Sequence, residues 1–186
     1  MCIRDSDQYV SVNLTYKQIL DKSFCDNVET IIRRARINPA QLAFELTEQD
    51  ANIEKAIATC VFDKLKRMGV RTMIDDFGSG YSNLGRICDL PNDFVKIDKS
   101  LVGNSRLLKS VLSLLRELDF FTIVEGIETE EAAANALLFG ADMLQGFYFG
   151  RPQPADYDWK NRFMKKQRAP ITISTDPISM PGSVIQ

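Results

Sequence analysis

The sequence predicts an α/β fold: a partial (β/α)8 barrel of the TIM type with about six of the eight β/α units present. Three observations carry that expectation. Strand-like and helix-like segments alternate six times along the chain, the order that yields a parallel sheet. The strand-like segments finish, nearly every time, on one polar or charged residue: Asn13, Glu45, Asp75, Lys96, Glu125 and Gln145. In a barrel those C-terminal strand ends converge on one mouth, whereas an open doubly wound sheet gathers its ligand groups at a single switch point. No G-x-G-x-x-G run opens a first unit.

The elements follow in order. "QYVSVNLT" (8–15) alternates and is rich in β-branched residues, so it predicts a strand. Residues from about Lys17 to Arg36 predict a helix that ends before Pro39. "LAFELT" (42–47) is a second strand, followed by a helix from about Asp50 to Met68 that Gly69 closes. "RTMID" (71–75) is a third strand, running into a glycine loop and a short helix near 82–89. "DFVKID" (93–98) is a fourth, followed by a helix over 104–119, and "FTIVEG" (121–126) is a fifth. "TEEAAANALLFG" opens on a capping-box pattern at Thr129 and closes on Gly140, a helix. "MLQGFYFG" (143–150) is a sixth strand. From 167 to 186 the chain turns Pro-, Ser- and Thr-rich without an apolar stripe, and is read as linker or disordered tail.

A closed barrel of this type takes eight strands and roughly 250 residues. Six are counted, and the first begins almost at Met1. Two more strands are therefore expected upstream, with 8–166 as the barrel fragment. Residues 1–7, beginning "MCIRDS", prepare no strand and are read as a non-native leader of the kind a translated sequencing adapter leaves.

Composition sets the limits on chemistry. Apolar content of 45% and charged content of 26% are those of an ordinary soluble domain. A net charge of −2 gives no footprint for a nucleic-acid polymer, and no run approaches a membrane span. Four scattered cysteines without a C-x-x-C pair suit a reducing, cytoplasmic compartment. The chain has no histidine, which removes Ser-His and Cys-His dyads and imidazole metal sites. Chemistry here must run on carboxylates, amides and lysine.

At one barrel mouth the chain would present Asn13, Glu45, Asp75, Asp76 and Glu125, a hard-oxygen set suited to Mg²⁺ or Mn²⁺. So many close anions repel one another unless a cation lies between them. Asp75 and Asp76 adjoin in "MIDDFGSGYS". On a continuing strand they would face opposite sides, but where the strand ends and turns they can share a site. Such a pair can bridge two ions about 3.5–4 Å apart and serve an in-line phosphoryl displacement. Lys96 would hold or deprotonate the attacking water, or face a phosphate oxygen. Gln145 would orient substrate or water, and Glu48, in "ELTE", would hydrogen-bond the Gly-Ser-Gly loop. Blander readings stand beside these: Asp98 in "KIDKS" as a cap, Lys96 as a salt-bridge partner, Asn13 as a turn residue, and Gly78 and Gly80 as loop glycines.

The segments "SVNLT", "FELTE", "IDDFGSGYSNL", "LPNDFVKIDKSLV", "VEGIET" and "QGFYFGRP" together resemble, in order and spacing, the motifs of the EAL family. Those bacterial phosphodiesterases linearise cyclic di-GMP to pGpG on a modified (β/α)8 barrel with two Mg²⁺ or Mn²⁺ ions. The resemblance runs from about residue 9 to 155. It implies that Asn13, Glu45, Asp75, Asp76 and Glu125 hold metal, that Lys96, Glu125 and Asp76 carry the catalysis, and that Gln145 and Asp98 contact substrate. It further implies that Glu48, Gly78 and Gly80 stabilise the loop at 77–83, and that a homodimer forms through the region near 77–90. A sensory or diguanylate-cyclase-like domain is expected upstream, in a cytoplasmic protein whose parent form could also be membrane-anchored.

One departure matters. The Glu-Ala-Leu segment that names the family does not occur in this sequence, and it belongs to the strands expected upstream. The isolated chain is therefore expected to be inactive or poorly folded, and the complete domain active. Two rivals remain: a non-catalytic receptor for cyclic di-GMP or a protein, and an enolase-type lyase or racemase. The lyase would not call for adjacent aspartates followed by Gly-Ser-Gly-Tyr.

Overall fold

The computed structural model describes residues 9–47, 55–80 and 84–152. The expected leader, Glu48, the helix start expected near Asp50, positions 81–83, the boundary near 166 and the expected tail over 167–186 lie outside the described residues.

Six strands stand side by side in chain order: β1 (Val10–Asn13), β2 (Leu42–Thr47), β3 (Arg71–Phe77), β4 (Phe94–Ile97), β5 (Phe121–Val124) and β6 (Met143–Leu144). Every neighbouring pair is parallel. Between them run α1 (Tyr16–Leu20), α2 (Phe24–Ala35), α3 (Lys55–Arg67), α4 (Leu84–Asp89), α5 (Ser105–Glu117) and α6 (Glu130–Phe139). The architecture is a half-barrel of β/α units, as the alternation predicts.

Strand parity sorts the side chains. Phe44, Leu46, Ile74, Val95, Ile97 and Val124 share one buried core with the inward stripes of the helices, including Val28, Ile32, Phe62, Leu65, Leu108, Leu112 and Leu115. On the other face Ala43, Met73 and Ile123 pack with Tyr9 and Phe94. Two residues further along the same face stand Glu45, Asp75, Lys96 and Glu125. An apolar layer thus underlies the charged one. At its base the Arg71 guanidinium lies 5.2 Å from the Tyr9 ring centre and 5.7 Å from that of Phe94.

Two matched clasps tie the starts of strands to the turns before their neighbours. The amide and hydroxyl of Thr72, at the start of β3, donate to Asp93 Oδ2, just before β4, at 2.9 and 3.3 Å. Thr122, at the start of β5, does the same to Asp142, just before β6, at 2.8 and 2.9 Å. Both threonines are buried.

Three expectations are corrected. The helix expected over 17–36 is two helices, because the Asp21 carboxylate accepts the Ser23 amide and hydroxyl and the Asp21 backbone turns extended. That side-chain bond competes with the helical ladder. The third strand runs on to Phe77, and the reason bears on the site. The sixth strand is only Met143–Leu144, because the chain beyond it wraps Ile127: the Ile127 amide donates to Gln145 O, and the Tyr148 amide to Ile127 O.

Candidate metal centre

The strand carrying the aspartate doublet does not alternate to its end. Asp76 takes a left-handed backbone, φ 58°, and the β3–β4 register shifts between Ile74 and Phe77. Aspartate tolerates that region better than most residues because its short polar side chain bonds locally, and here the Asp76 amide donates to Asp75 Oδ1 at 3.0 Å. The bulge turns Asp76 back toward the face that Asp75 already occupies. Adjacent aspartates therefore share a site while the ladder continues past them, not because the strand stops.

Asp75, Asp76 and Glu125 offer ligand oxygens that all lie within 4.8 Å of one another. Lys96, 4% exposed, stands among the carboxylates. Its Nζ lies 2.7 Å from Glu125 Oε1, 2.9 Å from Asp75 Oδ1 and 3.1 Å from Glu45 Oε2. Burial acts to lower the lysine's pKa, but its hydrogen bonds to Glu125 and Asp75 outweigh that and raise it. Lys96 is a fixed ammonium. Burial raises the pKa of Asp76, and the charges of Asp75 and Asp98 add to the rise. Burial likewise raises that of Glu125, against the pull of Lys96.

Four carboxylates therefore face one ammonium, and none of the lysine's ion pairs reaches Asp76. All the donors are oxygens, and the excess negative charge gathers where three carboxylates converge. Those are the attributes of a hard divalent cation site. The donor set fits the metals the sequence implies.

The remaining expected residues are placed as follows. Asn13 ends β1 beside Glu45 in the parallel register, with the Leu14 amide bonded to Glu45 O at 2.7 Å. Gln145 lies one residue past β6, held by its backbone between Val124 O and the Ile127 amide. Asp98 caps a 3₁₀ turn, Lys99–Leu101, accepting the Ser100 amide at 2.9 Å. Gly78 is crowded: a Cβ there would meet Leu101 Cδ1 at 2.5 Å, and its φ is 93°. A Cβ on Gly80 would meet nothing within 4 Å among the described residues. Ser100 and Leu101 lie inside "KIDKSLV" but carry no expected role. The signal was there in Asp98 followed two residues later by serine, a capped turn directly after a strand.

Comparison with known proteins gives one consistent picture. The family model described as EAL domain matches residues 3–152. The chain is 32% identical over 158 residues to the bifunctional diguanylate cyclase/cyclic di-GMP phosphodiesterase MucR of Pseudomonas aeruginosa, covering 81% of this chain and 23% of MucR. It is 27% identical to the cyclic di-GMP phosphodiesterase RocR of the same organism, covering 80% of this chain and 40% of RocR. The chain thus spans well under half the length of these relatives. Among solved structures it resembles the MucR phosphodiesterase in complex with c-di-GMP, with TM-score 0.74 and 32% identity over 81% of this chain and 70% of that one. It also resembles the Pseudomonas aeruginosa FimX EAL domain bound to c-di-GMP, with TM-score 0.75 and 26% identity over 81% and 65%.

Proposed function

The chain belongs to the EAL domain family, and on that premise we propose that it forms the larger part of a phosphodiesterase domain that hydrolyses cyclic di-GMP to linear pGpG. The observation that carries the reading is the convergence of Asp75, Asp76 and Glu125 beside a buried, ion-paired Lys96. Asp75, Asp76, Glu125, Glu45 and Asn13 would hold two ions, Mg²⁺ or Mn²⁺. Ions bound there supply Lewis-acid stabilisation of the phosphoryl oxygens and a nucleophile at neutral pH.

The chain's own residues do the rest. Lys96 is kept protonated by Glu125 and Asp75, which supports its facing a phosphate oxygen as a fixed positive charge over its taking a proton from water. Its three carboxylate bonds orient Glu45, Asp75 and Glu125 in turn. Gln145 and Asp98 stand at the same strand ends to meet the substrate, and Glu48 with Gly78 and Gly80 would steady the loop beyond Asp76. The apolar layer of Ala43, Met73 and Ile123 beneath the carboxylates keeps water from below, which strengthens every electrostatic term above it.

The reading extends to a cytoplasmic protein that dimerises through the region near 77–90 and carries a sensory or diguanylate-cyclase-like domain upstream. No helix among the described residues is long and apolar enough to cross a membrane. The isolated chain is inactive on this reading, because the Glu-Ala-Leu segment is not in it. The test is hydrolysis of cyclic di-GMP followed by chromatography, on the isolated chain and on a form extended by the two expected β/α units. The extended form should give pGpG with Mg²⁺ or Mn²⁺ and none in chelator. Binding without turnover in metal would move the reading to the receptor.

A further inference from the structure

The turn Lys99–Leu101 sits between the two loops that present the converging carboxylates, and it touches both. Toward the doublet, the Asp98 amide donates to Phe77 O at 2.9 Å, and the Ser100 hydroxyl makes a long 3.5 Å contact to Gly78 O. The Leu101 side chain, 7% exposed, occupies the volume that a Cβ on Gly78 would need. Toward Glu125, the Glu125 amide donates to Ile97 O at 3.0 Å. A Cβ on Gly126, whose φ is 68°, would collide with Lys99 Cβ and approach its Cα to 3.2 Å. Both presenting loops thus bring a left-handed glycine backbone down onto one short turn, where no other residue type would fit without strain. The turn is itself pinned at its start by the Asp98 carboxylate, which accepts the Ser100 amide.

We propose that Lys99, Ser100 and Leu101 form a wedge that sets the separation between the Asp75–Asp76 pair and Glu125, and that Leu101 is a positioning residue for metal binding. It touches no ligand oxygen; it acts through Gly78. A hard cation takes oxygens within a narrow range of distances, so a shift of a few tenths of an ångström in one loop shows in affinity before it shows in folding. The proposal rests on the metal centre read above, and the experiment separates the two.

Mn²⁺ binding to the full chain is measured by the electron paramagnetic resonance of free Mn²⁺, with thermal unfolding followed in parallel. Leu101→Ala should raise the Mn²⁺ Kd at least fivefold, and the volume-conserving Leu101→Met should restore it to within twofold. Leu112→Ala, a truncation in α5 within the same core and away from the loops, should lower Tm while leaving Kd within twofold. Should Leu101→Ala not fold, Leu101→Val reads the same quantity and should raise Kd at least twofold. An unchanged Kd in the Leu101 variants, or an equal rise in Leu112→Ala, overturns the wedge. Failure of the unmodified chain to bind Mn²⁺ removes the metal centre itself, and the wedge with it.

Discussion

Asp76 is held at φ 58° with a carboxylate that none of the lysine's ion pairs reaches. Asparagine adopts the same backbone readily, so Asp76→Asn removes the charge without disturbing the bulge. Because burial raises the folded pKa of Asp76, the folded state binds the proton more tightly than the unfolded one. Stability from this group is therefore present at low pH and is lost as pH rises through its folded value. Asp76→Asn should raise the metal-free Tm at pH 7, leave it unchanged near pH 3, and weaken Mn²⁺ binding at least tenfold. A lower metal-free Tm would mean the carboxylate has a partner that matters more than its repulsion. Lys96 is the opposite case. Lys96→Met strands the buried Glu45 and the partly buried Asp75 and Glu125 carboxylates and should cost about 3–5 kcal/mol in urea unfolding, a loss that saturating Mn²⁺ should reduce. That Glu45, Asp75, Lys96 and Glu125 would meet on one face was legible because each ends a strand and parity carries it there. The position of Asp76 was legible only in outcome. The bulge that achieves it arises from register against β4, and no pattern within β3 encodes it.

At the scale of elements, local side-chain chemistry decides the places where periodicity misleads. The apolar stripe from 17 to 36 is continuous enough to predict one helix, yet Asp21 bonds Ser23 and splits it. Those bonds lower the Asp21 pKa, the Ser23 amide first and the hydroxyl second. Their stabilising effect is present above the unfolded carboxylate value, about 3.9, and fades as pH falls through the lower folded value. Asp21→Ala should lower Tm slightly at pH 7, with the difference from the unmodified chain closing as pH falls from the unfolded value through the lower folded one. The Thr72–Asp93 and Thr122–Asp142 clasps were invisible in the sequence because each pair lies 21 or 20 residues apart. Asp142→Ala would leave the buried Thr122 amide and hydroxyl without their acceptor, costing about 1–3 kcal/mol. Equilibrium urea unfolding would read it. A change below a few tenths would mean that water replaces the carboxylate freely. The sixth strand was overread for a related reason: "MLQGFYFG" has the composition of a strand, but its backbone is spent on Ile127.

Across the whole molecule the sheet runs in chain order from β1 to β6, and among the described residues β1 pairs only with β2. Val12 on that strand is 43% exposed, whereas Met73 and Val95 in β3 and β4 are fully buried. Hydrogen exchange in the full chain should accordingly be fastest in β1 and slowest in β3 and β4, a gradient across the sheet. Uniform protection would mean that β1 is covered. Strand order was legible because the polar residues at nearly every strand end favour a barrel, in which successive β/α units lie side by side, over an open sheet; the sheet's unequal depth was not, since it depends on what each strand packs against. One further consequence lies in the turn under Gly78 and Gly126. Two loops gauged from separate supports would drift independently, and the errors in their spacing would add. Gauged from one support, their drift is common-mode: thermal displacement of the turn carries both along together and cancels in the difference. Tolerance to heat and to distant substitutions would then differ for the two properties of the centre, with its place in the domain free to wander while its internal dimension stays constant.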